Sequence, residues 1–227
     1  PTQLPRGLGC PKPPEYAAAK PEPRLVASPP TDKPVLTEAL ARKFSSPDNM
    51  LIVTYVNYHR LDFAFTLVQH LVALSNPHSL VGALDDEAGR GLQEKGVPTF
   101  FMNSGLTTQD YGWGTKNFRQ LGLHKVDLVL ALAKTGVDCL TIDADAFILR
   151  DPFPYFRKLA EADVLTSSDH LRSDYGYEDD GLEGNQGMSS AFNIGYIFIR
   201  AKALPFVQQW RDTCHRRPND WDQVLFM

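Results

Sequence analysis

From Leu51 onward, short apolar runs alternate with longer segments whose apolar residues recur every three to four positions, and no other feature limits the possible folds as strongly. Leu51-Ile-Val-Thr-Tyr-Val56 reads as a strand, and Leu61 to Leu74 as a helix with Phe65, Leu67, Val68, Leu71, Val72 and Leu74 apolar. Ser79 to Leu84 is a second strand, Asp86 to Lys95 a helix closed by Gly96, and Val97 to Met102 a third strand. Thr115 to Thr135 has helical spacing and ends at Gly136, ahead of a strand from Val137 to Ile142. A helix near Pro152 to Ala160, strands at Ala162 to Thr166 and Gly195 to Arg200, and a helix from about Ala203 to His215 complete the series. Such alternation predicts an α/β domain: a mostly parallel sheet flanked by helices, with ligands at the carboxyl ends of its strands.

The alternation does not extend to the start of the chain. Ten prolines (Pro1, Pro5, Pro11, Pro13, Pro14, Pro21, Pro23, Pro29, Pro30 and Pro34) fall there among Lys and Ala, without periodic apolar positions. That composition cannot offset its ordering entropy, so residues 1–45 read as a disordered Pro-rich stem and 46–227 as the folded domain. A net charge of -4 provides no field to hold nucleic acid. Three scattered cysteines make neither a disulfide framework nor a zinc cluster, and no run of apolar residues is long enough to span a bilayer. The chain opens on Pro1 and stops at Met227 inside a helical-looking segment, so the domain reads as C-terminally incomplete, with any anchor lying upstream.

Two polar loops interrupt the order, Asn103 to Gly114 and the acidic, glycine-bearing stretch Asp169 to Ser190. Each reads either as a functional lid or as a solvated surface loop. In the first, Trp113 between Gly112 and Gly114 is either a lid or ligand-stacking aromatic on a flexible hinge, or a loop residue packed on the core.

The most informative stretch is Leu140-Thr-Ile-Asp-Ala-Asp-Ala-Phe-Ile-Leu149. An apolar strand running into Asp143 and Asp145 aims two carboxylates from one strand end, where they repel unless a cation lies between them. Hard oxygen ligands suit Mg²⁺ or Mn²⁺, which keep positions open for phosphate oxygens. The chemistry indicated is a diphosphate held by a divalent metal. An Asp-x-Asp phosphohydrolase would normally carry its nucleophilic Asp on the first strand, which here ends in Thr54-Tyr-Val-Asn57.

Asp143-Ala-Asp145 followed by Asp151-Pro152-Phe153 resembles the Asp-x-Asp region of nucleotide-diphospho-sugar transferases with the GT-A fold, a Rossmann-like α/β architecture. Ala162-Asp-Val-Leu-Thr-Ser-Ser-Asp169, Phe192-Asn-Ile-Gly195, Trp221-Asp-Gln223 and Asp110-Tyr-Gly-Trp-Gly114 extend the likeness to about Leu51 to Met227. Together they most resemble glycosyltransferase family 77 of plants and green algae, and within it the arabinosyltransferases acting on hydroxyproline-rich wall glycoproteins.

The resemblance implies a metal-dependent, retaining glycosyltransferase that moves L-arabinofuranose from a UDP-sugar to an arabinosylated hydroxyproline-rich glycoprotein or glycan. Galactose or xylose as the donor sugar, or a domain that has kept the fold and lost turnover, are the alternatives. Asp143 and Asp145 would hold Mn²⁺ (or Mg²⁺), with a third ligand beyond Met227. Thr54, Tyr55, Val56 and Asn57 would meet uridine, and Asp85 and Asp86 the uracil or ribose, although Asp86 equally suits a helix N-cap. Lys125 would reach the phosphates, or is a solvated helix lysine; Lys116 and Arg119 are weaker candidates. Asp169, Asn193, Asp222 and Gln223 would line the donor sugar, a role preferred for Asp222 over that of a capping carboxylate. The enzyme would either use a protein group such as Asp222 or Gln223 on the sugar's far face, or let the leaving phosphate deprotonate an acceptor attacking from the same face. Proteins of this kind are Golgi-lumenal, type II membrane proteins, joined to the membrane only through an upstream anchor absent from this sequence.

Overall fold

A computed structural model describes residues 32–168 and 192–226. At its centre is strand β1 (Met50–Val56), all seven residues of which are buried. A strand covered on both faces has no use for polar alternation, which explains the continuous apolar run. Its side chains are divided by period two. Leu51, Val53 and Tyr55 pack with Leu128 and Leu132 of helix α4 (Lys116–Lys134), while Met50 and Ile52 face Leu67 and Leu71 of α2 (Leu61–Ala73).

Strands β2 (Ser79–Ala83), β3 (Thr99–Phe101) and β4 (Asp138–Ile142) join β1 in parallel, and α3 (Asp86–Glu94) lies between β2 and β3 in the chain. The last two strands, β5 (Val164–Ser168) and β6 (Phe192–Ile199), complete a sheet of order β3-β2-β1-β4-β6-β5. β6 runs antiparallel to both β4 and β5, so the sheet is mixed and mostly parallel. The chain leaves β1 toward β2 on one side and returns as β4 on the other. That reversal opens a crevice at the carboxyl ends of β1 and β4.

Because β6 opposes β4, with Ile142 against Tyr196, its first residues overshoot the end of β4. The overshoot sets Asn193 and Gly195 beside Asp143, whose N–H donates to the Gly195 carbonyl at 2.8 Å. Helix α6 (Leu204–Arg216) then covers the far side of α4, burying Val207, Trp210 and Cys214 against Val126, Val129 and Ala133. α5 (Phe153–Lys158) follows Asp151, whose carboxylate accepts from the Phe153 N–H at 3.1 Å and from Asn76 at 2.7 Å, a structural role for the Asp151-Pro152-Phe153 motif.

One boundary differs from the expected domain limits. Within the span read as stem, α1 (Glu38–Phe44) is a helix capped by Thr37, which accepts from the Leu40 N–H at 3.1 Å. Leu36, Leu40 and Phe44, four residues apart, carry it onto the α4 side of the sheet with Ala41 fully buried. Among the described residues no helix is long and apolar enough to cross a membrane. The expected acidic loop after β5, Asp169 to Ser190, lies outside the described residues.

Candidate functional site

The crevice between β1 and β4 is a cleft of about 760 Å³. Its walls include Tyr55 and Asn57 from the end of β1, Asp143 and Asp145 from the end of β4, and Asn193 from β6, with Asp222 and Gln223 from the turn that follows α6. Lys125 reaches it from α4.

Asp143 is held from three directions. Its backbone is tied to Gly195, and its Oδ1 accepts from Lys125 Nζ at 2.8 Å. A β-carbon on Gly195 would stand 2.9 Å from Asp143 Oδ2 and 2.8 Å from Asn193 Oδ1, so only glycine leaves room for both side chains. Lys125 is not a solvated helix lysine: its side chain is 6% exposed against 43% for Asp143. A buried ammonium is costly without a partner, and the aspartate is that partner. The carbonyl of Asp143 accepts from Ala146 N–H at 3.0 Å, a tight turn that leaves Asp145 exposed at the cleft.

Asp222 lies deeper. Its carbonyl accepts from Trp210 Nε1 at 3.0 Å, and a β-carbon on Gly122 of α4 would come within 2.9 Å of its carboxyl carbon. Burial pushes the Asp222 carboxyl above the ordinary aspartate range; Lys125 pulls it back and Asp143 adds to the rise. Gln223 Oε1 accepts from the Ile194 N–H at 3.3 Å, tying the turn to β6. Where a helix was expected at Asp222 there is a turn, then one 3-10 turn at Val224–Phe226. The Tyr55 phenol is raised well above its usual value by burial and by Asp143, Asp222 and Asp145, so it stays a neutral hydrogen-bond donor.

The cleft thus gathers Tyr55, Asn57, Lys125, Asp143, Asp145, Asn193, Asp222 and Gln223. Thr54 does not line it: period two turns that side chain into the core, 2% exposed. Asp85, rather than Asp86, is the N-cap of α3, accepting from the Ala88 N–H at 2.8 Å and, on its second oxygen, from the Tyr58 N–H at 2.9 Å. Asp86 pairs with Lys33 at 2.6 Å, and neither aspartate lines the cleft. Asp169 lies outside the described residues. Lys116 is exposed, and Arg119 donates to the Gly114 carbonyl at 3.4 Å without reaching the cleft.

Several lining residues had no expected role. Arg60 pairs with Asp110 at 2.9 Å near the mouth. Phe118 and Trp221 form an aromatic group with Trp113, and Gly122 makes room for Asp222. A glycine within a helix was the one visible signal, because it is unfavourable there without a packing reason.

No group of three or more His, Cys, Asp or Glu able to hold a metal occurs among the described residues. Asp143 and Asp145 nevertheless offer hard carboxylate oxygens at a cleft. Two protein ligands suit an ion that completes its shell with water and substrate phosphates, as Mg²⁺ and Mn²⁺ do.

Residues 75–227 match the family described as nucleotide-diphospho-sugar transferase. The chain is 36% identical over 211 residues to arabinosyltransferase XEG113 of Arabidopsis thaliana, covering 89% of this chain and 32% of that protein. It is 27% identical over 148 residues to beta-arabinofuranosyltransferase RAY1 of the same plant, covering 64% of this chain and 28% of the relative. The chain therefore spans about a third of the length of the curated relatives it matches. A solved structure, CMP:2-keto-3-deoxy-manno-octonic acid synthetase complexed with CTP, matches at 12% identity and a TM-score of 0.44, covering 79% of this chain and 85% of that one, too slight a likeness to carry an argument.

Proposed function

The chain belongs to the nucleotide-diphospho-sugar transferase family, and from that premise we propose that its cleft binds a UDP-sugar and serves a retaining transfer of L-arabinofuranose to an arabinosylated hydroxyproline-rich glycoprotein, in the Golgi lumen. The supporting observation is the Asp143 carboxylate at the switch point of the sheet, fixed by buried Lys125 and accommodated by Gly195.

Asp143 and Asp145 would hold Mn²⁺, which when bound would neutralise charge on the departing diphosphate. Lys125 keeps an ammonium against Asp143, where it can also meet a phosphate oxygen with a charge-assisted hydrogen bond. Tyr55, held neutral, remains able to donate to the nucleotide at the end of β1. Asp222 and Asn193 are the polar groups beside this pair, the positions from which a donor sugar would be oriented. Gln223, engaged with the Ile194 N–H, would keep Asp222 in place.

The test is UDP affinity with and without Mn²⁺, followed by UDP release from UDP-arabinofuranose, UDP-galactose and UDP-xylose with an arabinosylated hydroxyproline peptide. Asp143→Asn is preferred to alanine because it leaves Lys125 an acceptor. We expect Mn²⁺ to tighten UDP binding and Asp143→Asn with Asp145→Asn to remove that gain. UDP affinity indifferent to Mn²⁺ and to both substitutions would overturn the metal site. Binding without turnover on any donor would instead favour a transferase-like binding domain.

A further inference from the structure

Trp113 is 76% exposed, yet it belongs to an aromatic group and its backbone is fastened on both sides. Its ring meets Trp221 edge-on at 4.8 Å and Phe118 at 6.5 Å, and Phe118 meets Trp221 at 6.3 Å. Gly112 and Gly114 adopt φ of +64° and +77°, which shape the turn that presents Trp113. The Gly112 carbonyl accepts from Thr115 Oγ1 at 2.9 Å and the Gly114 carbonyl from Arg119. Further back, Asn57 Nδ2 donates to the Thr107 and Gln109 carbonyls at 3.3 and 2.8 Å. An indole this exposed on a pinned loop is organised for a ligand at little further ordering cost.

Position along α4 says which ligand. Lys125, at the Asp143 end, lies seven residues beyond Phe118, about 10 Å along the helix axis. Gly122, against Asp222, lies between them. In order, the cleft therefore presents the carboxylate–lysine pair, then Asp222, then the aromatic group, whereas Tyr55 and Asn57 flank it from β1. If a donor sets its diphosphate at Asp143 and its sugar at Asp222, the next position is where an acceptor sugar must lie.

Resting on that donor reading, we propose that Trp113, Phe118 and Trp221 form the acceptor subsite, a platform for the apolar face of a neutral glycan ring. Aromatic faces supply contact area without charge, which suits a sugar and offers nothing to a phosphate.

The test compares the unaltered chain with Trp113→Ala and Trp113→Phe. Calorimetry with an arabinosylated hydroxyproline peptide, without nucleotide, measures the platform, and a separate UDP titration with Mn²⁺ measures the donor site. Trp113→Ala should weaken glycopeptide binding about tenfold, Trp113→Phe should recover most of it, and UDP affinity should stay within about twofold. Glycopeptide affinity unchanged by Trp113→Ala would overturn the subsite. A parallel fall in UDP affinity would overturn it too, making the platform a nucleoside contact. If the unaltered chain fails to bind UDP, the donor reading falls, while the glycopeptide arm still judges the platform.

Discussion

Gly122→Ala isolates the role of Asp222 without touching its chemistry. The added carbon would stand 2.9 Å from the Asp222 carboxyl carbon and 3.1 Å from both carboxylate oxygens. Carbon atoms rest at about 3.5–4.0 Å, so the carboxylate must retreat by about 0.5–1 Å. Two effects on stability oppose one another. Alanine in a helix interior is worth about 1 kcal/mol over glycine, and crowding a packed site costs about 1–3 kcal/mol. Stability should therefore fall by no more than about 2 kcal/mol, read as a small shift in urea midpoint. Turnover should fall much further, about 10- to 100-fold, since a misplacement near 1 Å at a reacting group has that effect. Affinity for UDP with Mn²⁺ should change little, because the phosphates lie at Asp143. The refuting outcome is turnover within twofold of the unaltered chain at normal stability. A stricter control adds Gly122→Ala to Asp222→Asn: if Asp222 is the target, the second change costs no further turnover.

Lys125→Met keeps the buried volume and removes the charge. Asp143 remains 43% exposed, so water can take over its solvation, and the loss in urea denaturation should be about 1–3 kcal/mol, below the cost of breaking a fully buried pair. The same variant should weaken UDP binding about tenfold, and unchanged affinity would confine Lys125 to a structural role. Asn57→Ala removes the amide that holds the loop after β3, and hydrogen exchange of residues 103–114 should accelerate while the core strands stay protected. Asp222→Asn tests the raised carboxyl through pH. Both states are protonated at low pH; as pH rises past the unfolded value the unfolded chain ionises first, so the native carboxyl lowers stability increasingly until it too has titrated. Asp222→Asn should therefore be the more thermally stable form near pH 7, with the difference shrinking toward pH 3. A difference that is absent, or grows on acidification, refutes the assignment.

The strand and helix order was readable because each element carries its own period and its own stop signal, as with the buried run Met50–Val56 or Gly136 after α4. The direction of β6 was not. Residues 192–199 show the same apolar character whichever way they run, and only pairing with β4 makes them antiparallel. α1 was missed for a different reason: the stripe Leu36, Leu40 and Phe44 was visible, but the proline-rich composition before it outweighed three residues of signal.

At the site, legibility depended on sequence distance. Asp143 and Asp145 were readable because one strand end carries both. That Lys125 would be buried against Asp143 was not, since the contact joins a helix and a strand 18 residues apart. The N-cap expected at Asp86 falls one residue earlier: the extended backbone of Asp85, φ -145° and ψ 167°, makes Asp85 the cap. Gly122 and Gly195 occupy a middle ground. Each stands where a β-carbon would strike a carboxylate, one on Asp222 and one on Asp143, and each sits in an element that glycine weakens. A glycine tolerated inside a helix or strand says that something close by needs the space, but only the fold says what. Here both occupants are acidic and both line one cleft, so the two glycines mark the site from opposite walls.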